Sequence, residues 1–276
     1  QRDFRVNRVV CSYHSSANLW MYSARQNIPG REAAFIGFAP VFGTDSRDGY
    51  IIANDPHSKP KGSDPLYDSS HTNLRDGPGD LLNSVSQLPA TEEEVRAIIQ
   101  LFRTQQKKAM GYFHRVATED NFKSVDMQGY NLIHIATHSL KDEGQYRLSG
   151  LIFSPPETNH PPKEDGVLYS GEIYNLHLDA DLVVLSSCES GVGKLIKGEG
   201  MMALNRGFFY SGIRNIVFSL WKVEDRSTSR LMIAFYENIL EGLPFSQALQ
   251  KAKLEMIKDP FTAFPKYWSG FVLVGK

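Results

Sequence analysis

Residues 181–191 read DLVVLSSCESG, four apolar residues in a row followed at once by small and polar ones. A run such as Leu182, Val183, Val184 and Leu185, without polar alternation, needs apolar cover on both faces. A strand finds that cover inside a parallel sheet with helices above and below it. Parallel strands are joined by crossovers, usually helical, so the rest of the chain has to alternate strands with helices. Strand signals lie at 8–13, 32–40, 109–113, 131–140, 150–154, 214–221 and 270–274. Helix signals lie between them. Ser15 or Ser16 caps one that runs to Arg25, and Thr91 with Glu94 forms a capping box ahead of Val95, Ile98, Ile99 and Phe102. Further helices are expected at 118–125, 170–176 and 198–211, the last stopped by Gly212. Asp225 is read as the cap of a helix carrying Leu231, Met232, Phe235, Tyr236 and Ile239, and Pro244 opens a final one to about Lys258. The expected class is α/β, a mostly parallel sheet flanked by helices on both faces.

A chain of 276 residues can bury a sizeable core, and one domain over 1–276 is expected. Residues 41–81 are dense in Gly, Pro, Asp and Ser and are expected to form a long irregular insertion. No repeat of 20–50 residues is visible. With 30 basic against 31 acidic residues there is no electrostatic footprint for direct nucleic acid binding or for an acidic membrane surface. No apolar run approaches the roughly 20 residues that span a bilayer. Two cysteines, Cys11 and Cys188, exclude a disulfide scaffold and fit a reducing compartment, so a cytoplasmic location is expected. Because the chain opens at Gln1, it is expected to be a piece of a longer protein whose upstream part is absent.

Cys188 lies just past the carboxyl end of its strand, the edge at which open α/β sheets bind ligands. A cysteine is more often a buried small hydrophobe than a nucleophile. Its neighbours Ser186, Ser187, Glu189, Ser190 and Gly191 are turn material rather than core, which favours the reactive reading. A thiol attacks as thiolate and needs a base or cation nearby. His138, 50 positions earlier, ends another apolar run and is the simplest supplier. His134, inside that run, reads as a satisfied core residue, and Cys11 as structural. The segment GVGK at 191–194 has Cys188 and Leu195 where a phosphate loop requires Gly and Ser or Thr, so no nucleotide site is expected. No spacing suggests zinc, and neither a metal nor another cofactor is expected.

The segments NLIHIATHS, DGVLYSGEIYNLHLDADLVVLSSCESGVG, KGEGMMALNRGFFYSGIRNIVFSLWKVEDRSTSRLMIAFYENILEGLPFSQALQKA and PKYWSGFVLVG together resemble the CHAT domain. That family is caspase-like and often stands beside tetratricopeptide repeats. The likeness covers 131–276 closely, and VVCSYHSSANL and LPATEEEVRAIIQLF loosely. It implies a cysteine endopeptidase acting on a protein or peptide substrate through a Cys188 thioester, with His138 as base and acid. It also implies an oxyanion hole from the backbone N–H groups of Ser139 and Cys188. The strand after the nucleophile, 216–221 and on through Lys222 and Val223 to Asp225, would pair with substrate, and Ser186, Glu189, Trp221, Glu224 and Asp225 are the pocket candidates. A similar His-to-Cys gap is found in caspases, although their local signature around the cysteine is absent here. Ser139 departs from the Gly usual after the histidine, the 41–81 segment is longer than the usual connection, and the family's first strand is missing. The competing expectation is a catalytically silent scaffold or effector that acts by binding a partner. Control by a sensor or repeat module, upstream or in trans, is expected in either case.

Overall fold

The computed structural model describes residue 13 and residues 31–40, 49–53, 88–140, 149–155, 164–186, 188–189 and 199–275. Five short apolar runs form the parallel centre of the main sheet: β1 (Phe35–Ala39), β3 (Ala109–Phe113), β4 (Leu132–Ile135), β8 (Leu182–Leu185) and β10 (Ile216–Ser219). Two antiparallel strands close its edges, β2 (Gly49–Ala53) against β3 and β11 (Phe271–Val274) against β10. The spatial order is β11-β10-β8-β4-β1-β3-β2.

Alternation along each strand feeds two cores. Phe35, Leu132, Val184, Val217 and Leu273 point to one face, where they meet α1 (Pro89–Thr104), α5 (Asp225–Leu240) and α6 (Phe245–Lys258). Ile36, Ile133, Val183, Ile216 and Val272 point to the other, toward α2 (Glu119–Ser124), α3 (Ser170–Ile173) and α4 (Glu199–Tyr210). All four residues of β8 are fully buried, each worth about 1.5–3 kcal/mol of transfer free energy, so a polar residue anywhere in that run would oppose this position in the sheet. Gly37 and Gly111 are register partners on β1 and β3. A Cβ on either would come within 2.6 Å of Val95 or 2.5 Å of Ile99, so the two glycines let α1 lie close against the sheet.

Several expectations need correcting. The helix α1 starts at Pro89 with Leu88 as its cap residue; Thr91 Oγ1 donates to the Leu88 carbonyl at 2.6 Å, and Glu94 turns into the core instead of completing a capping box. Proline suits the first helical position because that N–H has no helical partner. The segment 41–81 holds a strand, β2, built on the β-formers Tyr50, Ile51 and Ile52; its other residues lie outside the described ones. Of the expected strand at 8–13 only Tyr13 is described, and it bridges Val274 in parallel; the helix at 15–25 and Cys11 lie outside the described residues. The apolar run 131–140 is divided. Its second part, β5 (His138–Leu140), belongs to a separate four-stranded sheet with β6 (Gly150–Ile152), β7 (Val167–Tyr169) and β9 (Cys188–Glu189), in the order β7-β6-β5-β9.

Candidate active site

The site is where two neighbouring chains leave one sheet and pair again in another. Strands β4 and β8 run in parallel up to Ile135 opposite Leu185. Ala136 N–H then donates to the Phe38 carbonyl at 2.9 Å, and Ser186 N–H to the Ile135 carbonyl at 3.0 Å. Three positions beyond the last pair on each chain, His138 stands opposite Cys188 and Ser139 opposite Glu189, again in parallel. The 50-residue offset is thus kept across the break. Neighbouring strands lie about 4.8 Å apart, which makes His138 and Cys188 backbone neighbours. Both meet in the small sheet, not at the rim of the main one as expected from the two apolar runs.

Thr137 makes the change of sheet possible. It is fully buried, and its hydroxyl donates to the Ile152 carbonyl of β6, satisfying a polar side chain at the point where the main ladder ends. On its other side Ser139 pairs with Leu151, so β5 is an interior strand of the small sheet. His138, Ser139 and Ser186 are only 3%, 1% and 2% exposed. Of the residues expected at the site, His138, Ser139, Cys188 and Glu189 share one two-pair ladder, and Ser186 lies at the root of the segment that carries the cysteine.

The remaining candidates follow the next strand along. Phe218 of β10 is in register with Leu185, and beyond it the chain reaches Trp221, Glu224 and Asp225 at the same edge. Trp221 is 40% exposed; its Nε1–H donates to the Lys266 carbonyl at 3.3 Å, and its ring packs over Gly270, where a Cβ would approach to 2.8 Å. Glu224, with extended backbone, is the cap residue of α5 and accepts the Ser227 hydroxyl at 2.6 Å, whereas Asp225 is the first helical residue. The expected cap at Asp225 is therefore displaced by one position.

The sequence placed His134 in the core but gave no sign of its partners, and a second polar cluster was not foreseen. His134, fully buried on β4, has Nε2 2.9 Å from Glu94 Oε1 and Nδ1 3.2 Å from the Tyr236 hydroxyl. The Glu94 approach is a close polar contact with poor hydrogen-bond alignment. Burial, and then Glu94, push the Tyr236 hydroxyl well above its ordinary range. In the other cluster, oxygens of Glu119, Glu164 and Glu172 lie within 4.8 Å of one another, the spacing of a cation site. Lys123 Nζ already sits among them at 2.6, 2.5 and 2.8 Å, so the place a cation would take is filled by an ammonium of this chain. The only advance signal was the i,i+4 pair of Glu119 and Lys123.

Among relatives, tetratricopeptide repeat protein 28 of Homo sapiens and its counterpart in Mus musculus are each 26% identical over 221 residues, 68% of this chain. The chain spans 8% of their length. Among solved structures, the complex of Porphyromonas gingivalis RgpB pro- and mature domains superposes with a TM-score of 0.45 at 12% identity, covering 88% of this chain and 47% of that one. The Arg-specific cysteine proteinase gingipain R gives 0.44 at 13%, covering 70% and 42%. The family model of the CHAT domain matches residues 46–276, and the chain belongs to that family.

Proposed function

We propose that the chain is a caspase-like cysteine endopeptidase that cleaves a specific protein substrate at Cys188. The observation that carries this reading is the parallel backbone pairing of His138 with Cys188. His138 assists formation of the thiolate, which attacks the scissile carbonyl; the C–S bond forms, the C–N bond breaks, and the imidazolium gives its proton to the leaving amine. Water then hydrolyses the thioester. The N–H groups of Ser139 and Cys188 receive the oxyanion, and the substrate extends along the carboxyl end of β10 with Ser186, Glu189, Trp221, Glu224 and Asp225 around the residue before the scissile bond. The test is Cys188→Ala, which abolishes cleavage of an identified substrate while circular dichroism and melting stay as in the parent. Cleavage that survives the substitution removes the cysteine from the mechanism.

One observation favours a second reading, a catalytically silent scaffold: His138 is 3% exposed, and an imidazole that serves a substrate has to be reached. On the protease reading this is a resting arrangement, opened by a repeat or sensor module in cis or in trans, in keeping with relatives that are tetratricopeptide repeat proteins. The isolated chain is then inactive or weakly active, and it works in the cytoplasm. Labelling of Cys188 by a peptide electrophile in the presence of that module separates the two readings. No helix among the described residues is long and apolar enough to cross a membrane.

A further inference from the structure

The carboxyl ends of β8 and β10 and the first turn of α5 all carry hydroxyls. Alternation sends Val184 and Val217 to the α1/α5/α6 face, and the next positions on that face are Ser186 and Ser219, neighbours because Leu185 pairs with Phe218. Ala136, in the corresponding place at the end of β4, belongs to the same core. The first turn of α5, one turn ahead of Leu231 on this face, adds Ser227 and Thr228. All four hydroxyl residues are buried. Two are satisfied within the fold: Ser219 Oγ donates to the Trp221 carbonyl at 2.6 Å, and Ser227 Oγ to Glu224 at 2.6 Å. The other two, Ser186 Oγ and Thr228 Oγ1, have no hydrogen-bond partner among the described residues.

A buried hydroxyl left without a partner costs about 1–3 kcal/mol, and folded proteins leave few of them unexplained. Two at one edge of one face, one of them two residues before Cys188, are what a site holds ready for a ligand that brings the missing bonds. We propose that Ser186 and Thr228 form the floor of the pocket for the substrate residue before the scissile bond, and that the pocket takes a side chain ending in N–H donors. This rests on the protease reading of Cys188 and adds Thr228 as a specificity-determining residue. Both floor oxygens accept from such a head. Glu224, exposed at the start of α5, and Asp225 beside it place carboxylates at the entrance, which attract a guanidinium or ammonium, tolerate a carboxamide and repel an acid. An aliphatic head leaves both hydroxyls unpaired.

The experiment is a panel of peptides differing only at the residue before the cut, Arg, Gln, Leu or Asp, read with the parent protein, Ser186→Ala and Thr228→Val, each in the presence of the repeat or sensor module. The parent prefers Arg or Gln to Leu and Asp, and either order between Arg and Gln supports the floor while telling which head it holds. Each variant lowers the kcat/KM ratio of the preferred peptide to the Leu peptide by about tenfold, because the discriminating bonds are gone. Neither variant melts below the parent, since an unpaired hydroxyl is replaced by an apolar group of similar shape. A parent that prefers Leu or Asp, a ratio within twofold of the parent in either variant, or a melting point several degrees lower in either variant overturns the proposal. If the parent cleaves no peptide even with its repeat or sensor module present, the protease reading fails, and the floor is judged with benzamidine, an N–H-donating head without a scissile bond. Binding that weakens in Thr228→Val upholds the floor; equal or absent binding overturns it.

Discussion

A buried polar pair in the middle of a sheet needs a reason at each residue. His134 lies between Gly37 and Val184 in register, with Glu94 and Tyr236 as polar neighbours from α1 and α5. Truncating one partner of such a group leaves the other buried and uncompensated, a loss of about 3–5 kcal/mol. His134→Leu is therefore expected to destabilise by about that much, through the stranded Glu94 carboxylate, whereas Tyr236→Phe removes one neutral hydrogen bond and costs about 1 kcal/mol. Urea unfolding of both variants checks the order; equal losses would mean that the Glu94 contact contributes nothing. Gly270 gives a second case. An alanine there would meet the Trp221 indole at 2.8 Å and Ser219 Oγ at 3.0 Å, so Gly270→Ala is expected to displace the indole, with a shift in its fluorescence and a loss of about 1–3 kcal/mol. An unchanged emission spectrum with unchanged stability would contradict the packing of that ring.

Among the elements, α2 has a short and testable start. Thr118 caps it, its hydroxyl accepting from Asn121 N–H at 3.1 Å, and Thr118→Ala is expected to cost about 1 kcal/mol in thermal unfolding, a loss that disappears if the cap is irrelevant. That cap was legible in the sequence, as were β3, β8, α4 with its Gly212 stop and the last helix, because each carries a local signal: an apolar run, a capping side chain, a glycine at positive φ. The pairing of His138 with Cys188 was legible only as proximity. The run 131–140 contains no Gly or Pro to mark the change of sheet, and the break is made by Thr137 bonding to Ile152, a partner supplied by tertiary structure. The strand β2 was hidden by the Gly- and Asp-rich composition around it, and β7, three residues long, falls below what periodicity can resolve. The capping box at Thr91 misled because Glu94, three residues on, has a stronger partner in His134 than any helix-end N–H.

At the scale of the whole molecule, ion clusters tie the layers together away from the His138–Cys188 pairing. Asp179 joins Arg31 and Arg214, and Arg214 also holds Asp181 at the start of β8. Burial raises the Asp179 carboxyl, but the bonds from Arg31 and Arg214 outweigh it and hold the group below its usual range. Its contribution is therefore complete above the unfolded value of about 3.9 and disappears as pH falls through the folded value, so Asp179→Asn should flatten the acid limb of the stability profile below about pH 4. Lys123 links α2 to the turn before β7 and to α3, and thereby anchors the small sheet that carries His138. Burial disfavours its ammonium, yet the three carboxylates outweigh that and raise its pKa, so its contribution is present below about pH 10.4 and is lost only in strong alkali. In Lys123→Met the carboxylates of Glu119, Glu164 and Glu172 face one another without a cation. At pH 7 the expected loss is about 3 kcal/mol, the low end for breaking a buried pair, because Glu172 remains partly in contact with water. Glu119 is already raised by burial, with Glu172 adding to the shift, and it takes up a proton first as pH falls. The variant's deficit should therefore shrink between pH 7 and pH 4.5, as measured by urea unfolding at the two values. An equal deficit at both would mean that Lys123 acts through its aliphatic stem and not its charge.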